Sequence, residues 1–260
     1  RLSLPGRGRR GGLTIGSPIT GSWSRNCAAY SNVEIVMTPG PDQVIACPNC
    51  GALEQHGTIV AGNTGRRVSW SDLKVVSPFL RQPPKFVICH ACHSCYWLAD
   101  APGVGLMPGP FNDPADWPRV NPAWRMAPVV AEPEEAQYYA FLSADLPDDR
   151  DQQFHLRLLA FQRRNDSFRS DLTIDDPKPD PVTGEAILSG DAHANVGSLL
   201  GLMDPNDSQL LFLSAELHRA LGEFDIARDL FQRTTALPDL KVWASKLATL
   251  SEKQIATVRN

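Results

Sequence analysis

Cys47-Pro48-Asn49-Cys50-Gly51 and Cys89-His90-Ala91-Cys92-His93-Ser94-Cys95 are the two stretches whose reading decides the fold. A Cys-x-x-Cys turn sets two sulfurs on one side of a tight loop, so two such turns can close a four-thiolate tetrahedron. The first is the better formed, since its proline and glycine suit a turn whose backbone amides point at sulfur. The second contains two overlapping Cys-x-x-Cys pairs and two histidines. Val44-Ile45-Ala46 before Cys47 is mirrored by Val87-Ile88 before Cys89, which favours Cys89 and Cys92 over Cys95. The expected metal set is Cys47, Cys50, Cys89 and Cys92, and the expected ion is Zn²⁺. Cys95 then falls in an outgoing strand as a small buried hydrophobe, with a substitute-ligand role as the alternative. His90 and His93 are expected as exposed turn residues. Redox pairs or unliganded thiols are the competing reading of the cysteines.

Working outward, Gln43–Cys47, residues 57–61, Lys85–Ile88 and Tyr96–Leu98 read as short strands. Between the cysteine turns lie 38 residues, Gly51 to Ile88, more than the roughly 15–20 of many paired sites. The excess is an arm over Gly62–Pro84, in which Arg67 to Val76 alternates loosely enough to make a hairpin. Metal binding of order 10 kcal/mol exceeds the added loop-closure entropy, so the length is no obstacle.

Residues 101–133 hold eight prolines in 33 positions, which predicts an extended connector with no helix running through it, pinned by Trp117 and Trp124. From Glu134 the pattern turns helical. Pro133-Glu134-Glu135 suits a first turn. Apolar stripes at Phe154/Leu158/Phe161, Val196/Leu199/Leu200/Met203, Leu210/Leu213/Leu217/Leu221, Phe224/Ala227/Leu230/Phe231 and Trp243/Leu247/Leu250 mark further helices. Asp191 is placed to cap one of them, and residues 171–190 read as a loop. About six helices follow, in an antiparallel bundle or stacked hairpins. The fold class is α+β: a leader over 1–36, a small β-rich metal domain over 37–100, the connector over 101–133, and an all-α domain over 134–260.

Charge is unevenly spread. Residues 1–36 set five arginines against Glu34, residues 37–100 set five basic against four acidic groups, and 101–260 set fifteen against twenty-four. The Gly/Arg/Ser-rich leader is expected to be poorly ordered, with the folded body starting near Met37. No run approaches the ~20 apolar residues that span a bilayer, and no apolar h-region follows the N-terminal arginines. Cys-x-x-Cys pairs without a secretory signal point to metal in a reducing cytoplasm.

The order of strand, Cys-Pro-x-Cys-Gly, long arm, strand, Cys-x-x-Cys and Tyr96-Trp97 resembles a zinc ribbon. More narrowly, Gly62-Asn63-Thr64-Gly65-Arg66-Arg67, then Trp70-Ser71-Asp72-Leu73-Lys74, Pro78 and the second turn resemble a group of uncharacterised bacterial proteins. These join such a ribbon to a helical, tetratricopeptide-like tail. Their pattern has glycine after the second turn, where this chain has His93. In the tail, Leu211, Ala215, His218, Gly222, Phe224, Ala227 and Phe231, with Pro238, resemble one tetratricopeptide repeat. No second copy is as clear. The resemblance implies no reaction.

Three functions compete. The leading one is a non-enzymatic scaffold: zinc for stability, the helical region for a protein partner, a basic one given the acidic tail. The second is nucleic-acid binding by the ribbon, through Arg66, Arg67, Lys74, Arg81 and Lys85 interleaved with Trp70, Phe79 and Phe86. Asn63, Arg66, Arg67, Trp70, Asp72 and Lys74 form the candidate binding surface. The third is an enzyme, with Asp191-x-His193 as an acid/base pair or Gly62–Gly65 as a phosphate cradle. An isolated Asp and His near a helix start are ordinarily capping and surface groups, and the glycine turn lacks the following helix that a phosphate loop needs. No membrane partner is expected.

Overall fold

The computed structural model describes residues 37–62, 67–77, 80, 82–108, 120–144, 147–169, 188, 190–204, 207 and 210–258. The leader, Asn63, Arg66, Trp117 and most of 171–190 lie outside the described residues. Among those described there are nine strands and seven α-helices, an α+β arrangement with the antiparallel strands first.

Each cysteine turn tips a hairpin. β2 (Gln43–Ala46) and β3 (Leu53–His56) pair antiparallel with Ile45 opposite Glu54. β7 (Phe86–Ile88) and β8 (Cys95–Trp97) pair with Val87 opposite Tyr96 and Phe86 opposite Trp97. β1 (Thr38–Pro39) pairs with β4 (Ile59–Ala61) beside the first hairpin. The arm is a third hairpin, β5 (Val68–Ser69) with β6 (Val75–Val76).

The proline-rich stretch does more than connect. β9 (Gly103–Leu106) joins the free edge of β2, giving a sheet ordered β3-β2-β9. Trp124 packs against it at Gly105, where a Cβ would meet the indole at 2.2 Å. The single-turn helix α1 (Pro122–Arg125) starts with Pro122 at its first position and is capped by the Asn121 side chain on the Ala123 amide, 3.0 Å. A proline is tolerated there because that N–H would have no partner anyway. Further on, Pro128 to Ala131 runs between the two cysteine hairpins. It bonds Gln55 on β3 (Gln55 N to Pro128 O, 2.9 Å) and Ile88 on β7 (Ile88 N to Ala131 O, 3.0 Å).

The helices are α2 (Glu135–Ala144), α3 (Arg150–Asn165), α4 (Gly190–Leu202), α5 (Leu211–Ala220), α6 (Phe224–Thr234) and α7 (Lys241–Glu252). Asp149 caps α3 by accepting from the Asp151 and Gln152 amides. Asp191 does not cap α4; it lies inside the first turn, after Gly190. Gly222, at φ +79°, closes the α5–α6 turn. The apolar stripes bury as their spacing requires. Phe161, Val196, Leu199, Leu213 and Leu217 fill the space among α3, α4 and α5. Phe212, Ala215, Ala227, Phe231, Ala244 and Leu247 fill that among α5, α6 and α7. Ala215 on α5 and Ala227 on α6 are both fully buried in this core, small side chains that let the helices approach closely, while Phe212 and Phe231 meet edge to face at 5.6 Å.

The strand region and the helices share a wall. Successive strand residues point to opposite faces, so Val87 and Tyr96 pack with Ile45 and the cysteines. On the reverse face, Phe86, Trp97 and Cys95 pack with Tyr138, Leu142, Leu156 and Ala160 of α2 and α3. Phe86 touches the rings of Trp97, Tyr138 and Phe141. Phe86→Ala should therefore destabilise the chain by about 3–5 kcal/mol, read as a lower denaturation midpoint in urea.

Candidate metal centre

The two cysteine turns have one backbone design. In the first, Gly51 N donates to Cys47 O (2.9 Å) and Cys47 N to Ala52 O (2.8 Å). In the second, His93 N donates to Cys89 O (3.0 Å) and Cys89 N to Ser94 O (3.0 Å). Both require a left-handed residue four places after the first cysteine. Gly51 takes φ +75° and His93 takes φ +58°. The departure from glycine at His93 therefore leaves the turn intact, with a side chain in a conformation that costs it energy.

All four sulfurs converge. The Sγ atoms of Cys47, Cys50, Cys89 and Cys92 lie within 4.8 Å of one another, with Cys47 to Cys92 at 3.8 Å and Cys50 to Cys89 at 3.7 Å. A disulfide would need about 2.05 Å. A tetrahedron with metal–sulfur bonds of about 2.3 Å has an edge near 3.8 Å. The donor set thus fits a metal ion held by thiolates, two buried (Cys47, Cys89) and two at the surface (Cys50, Cys92). The Ala91 amide points at Cys89 Sγ, 3.4 Å away. Burial pushes the Cys89 thiol up to about 12, while hydrogen bonds from the Ser94 side chain and backbone draw Cys92 down to about 6. Four thiolates this close repel one another; a divalent cation removes that conflict and lets all four ionise.

Cys95 stands apart from the four. It lies on the helix-facing side of β8, where burial raises its pKa. His90 and His93 are exposed.

One residue at the centre was not anticipated. Glu54 is 1% exposed. Its Oε1 accepts from the His90 backbone N–H (3.0 Å) and lies 2.8 Å from His90 Nδ1, and its Oε2 accepts from the Tyr96 hydroxyl. Burial, with Glu54 beside it, pushes the Tyr96 hydroxyl well above its ordinary value and keeps it a donor. The sequence signal was available. Counting back from the turn pairs position 54 with Ile45, a core residue, so both side chains face inward.

The candidate binding surface on the arm is largely not a surface. Trp70 and Asp72 are buried. The Asp72 carboxylate accepts from both terminal nitrogens of Arg169 and from Asn165 Nδ2 (3.0 Å), and its backbone carbonyl accepts from Gln162 (3.0 Å). Arg169 also sits over the Trp70 ring at 5.1 Å. Lys74 pairs with Asp166 at 2.7 Å, and Ser71 donates to Glu216 at 2.7 Å. Glu216 is itself gripped by Arg219, both fully buried. Burial pushes the Glu216 carboxyl up, against the pull of that guanidinium. Arg67 is exposed, whereas Asn63 and Arg66 lie outside the described residues. Of the proposed stacking aromatics, Phe86 and Trp70 are buried. The Asp191-x-His193 pair is exposed on the first turn of α4.

No family model, curated protein or solved structure that was compared matches this chain. No helix among the described residues is long and apolar enough to cross a membrane.

Two outcomes follow from this geometry. His93→Gly should relieve the left-handed strain and stabilise the metal-loaded protein by about 1 kcal/mol, seen as a higher Tm. Asp72→Ala takes the carboxylate from both terminal nitrogens of the buried Arg169 guanidinium, leaving the Asp166 carboxylate on its Nε, and should cost on the order of 3 kcal/mol, measured by urea unfolding.

Proposed function

We propose that this chain is a zinc-stabilised scaffold for protein–protein interaction, with a zinc-ribbon-like strand module and a helical region that carries the partner contact. The single observation behind it is the convergence of four sulfurs at tetrahedral spacing. Zn²⁺ is the ion of choice for an all-thiolate, closed tetrahedral site with no open position for substrate. Iron favours the same donors, so the metal's identity is a matter for elemental analysis. Cys47, Cys50, Cys89 and Cys92 would hold the ion, and its role would be to fasten the two hairpins.

The partner reading draws on charge and shape. The acidic excess beyond residue 100 favours a basic protein. Between α2, α3 and α4 lies an open cavity of about 700 Å³ lined by Glu134, Glu135, Asp191 and Arg164, with Tyr139 and small side chains among them. Nucleic-acid binding is the weaker alternative, because the arm's Trp70, Asp72 and Lys74 are engaged with the helices.

The purified 260-residue chain should contain one zinc per molecule. Cys47→Ser and Cys89→Ser should each abolish stoichiometric zinc, and EDTA should lower the Tm of wild type by ten degrees or more on the order of 10 kcal/mol of binding. A metal-free wild type whose heat resistance is indifferent to EDTA would falsify the metal half of this reading. Capture of a basic protein that survives Glu134→Lys/Glu135→Lys/Asp191→Lys would contradict the partner half.

A further inference from the structure

The two cysteine turns share a backbone path but differ at the residue after the first cysteine: Pro48 in one, His90 in the other. Proline holds its own φ near −65° and brings no N–H to the turn. His90 brings a free torsion and a donor that the turn's own hydrogen bonds leave unused. That donor goes to Glu54 Oε1 at 3.0 Å, and the His90 ring nitrogen lies 2.8 Å from the same oxygen. The carboxylate is set by its buried place on β3, paired opposite Ile45, and its other oxygen accepts from Tyr96. With the His90 peptide fixed, the next amide, Ala91 N, aims at Cys89 Sγ.

The geometry points to Glu54 as the positioning residue of the metal site: it clamps the second cysteine turn through the His90 amide, as the pyrrolidine ring of Pro48 does in the first. This inference rests on the metal reading above. Glu54 comes from the strand that leaves the first turn, so the clamp also ties one turn's hairpin to the other's tip before any ion arrives. Pre-arranged sulfurs lose less freedom on binding, and the effect is read in metal affinity. A fully buried carboxylate beside four thiolates adds like charge to the site, and its hydrogen bonds to the turn are what offset that cost.

The test measures zinc affinity of the full chain by competition with a chromophoric chelator, with helical circular dichroism confirming that each variant is folded. Glu54→Ala should bind zinc roughly 10- to 100-fold more weakly, the usual range for an outer partner of a metal ligand. Glu54→Gln keeps an acceptor oxygen and should stay within about three-fold of wild type, since one hydrogen bond is exchanged for a neutral one. Tyr96→Phe loses the same carboxylate's other partner without touching the turn, and should also stay within about three-fold. The decisive variant is Glu54→Ala/His90→Pro, which installs the first turn's solution in the second and should recover most of the lost affinity. Unchanged affinity in Glu54→Ala, or a double variant no tighter than Glu54→Ala, overturns the positioning role while the metal site stands. Wild type without zinc overturns the reading beneath it.

Discussion

Four sulfurs must meet although their turns are 39 to 45 residues apart in the chain, and the strand region is arranged around that requirement. Each turn is the tip of a two-stranded ribbon, and such a ribbon alone is marginal in water. Three additions support the pair: β9 along the open edge of β2, residues 128–131 between the two hairpins, and a metal ion that the donor set fits. Binding energy of order 10 kcal/mol is large against the entropy of closing a longer loop, which grows only with the logarithm of its length. The chain can therefore place a long arm between the turns.

That arm fastens the strand region to the helices. Its tip carries Trp70, Ser71, Asp72 and Lys74 into contact with α3, the turn after it, and α5. The groups are charged and several are wholly buried, a costly arrangement unless every partner is present. Here it is satisfied: no buried side-chain nitrogen or oxygen among the described residues lacks a hydrogen-bond partner. Arg219 extends the network by donating to the carbonyls of Ile255 and Thr257, which draws the chain's end onto α5. α5 is consequently covered on three sides, by α4, by α6 and α7, and by the arm.

Local patterns were legible in the sequence, and contacts between distant segments were not. Cysteine spacing and flanking apolar residues pick out the four converging thiols; apolar stripes at helical spacing place five of the six long helices, and the Pro133-Glu134-Glu135 first turn places α2. The arm read as a basic, aromatic surface because Arg169 stands 97 residues from Asp72, and nothing near either one marks the other. Proline density over 101–133 concealed β9 and α1: both avoid the prolines' missing donors, the strand by running between them and the helix by starting on one. Glu54 lies outside the strands that the sequence marks, the nearest being 57–61; its burial follows only from the pairing register of β3 with β2, which the turn geometry sets.

The two-sided wall of β7 and β8 carries an arithmetical consequence. Phe86, Cys95 and Trp97 alternate with Val87 and Tyr96, so odd and even neighbours serve different cores. Losing or gaining one residue in either strand would exchange the two sets, sending Phe86 or Trp97 towards the cysteines and Val87 or Tyr96 into the gap against α2 and α3. A change of length in this stretch is thus constrained by parity: two residues at a time preserve both interiors, and a single one spoils both at once.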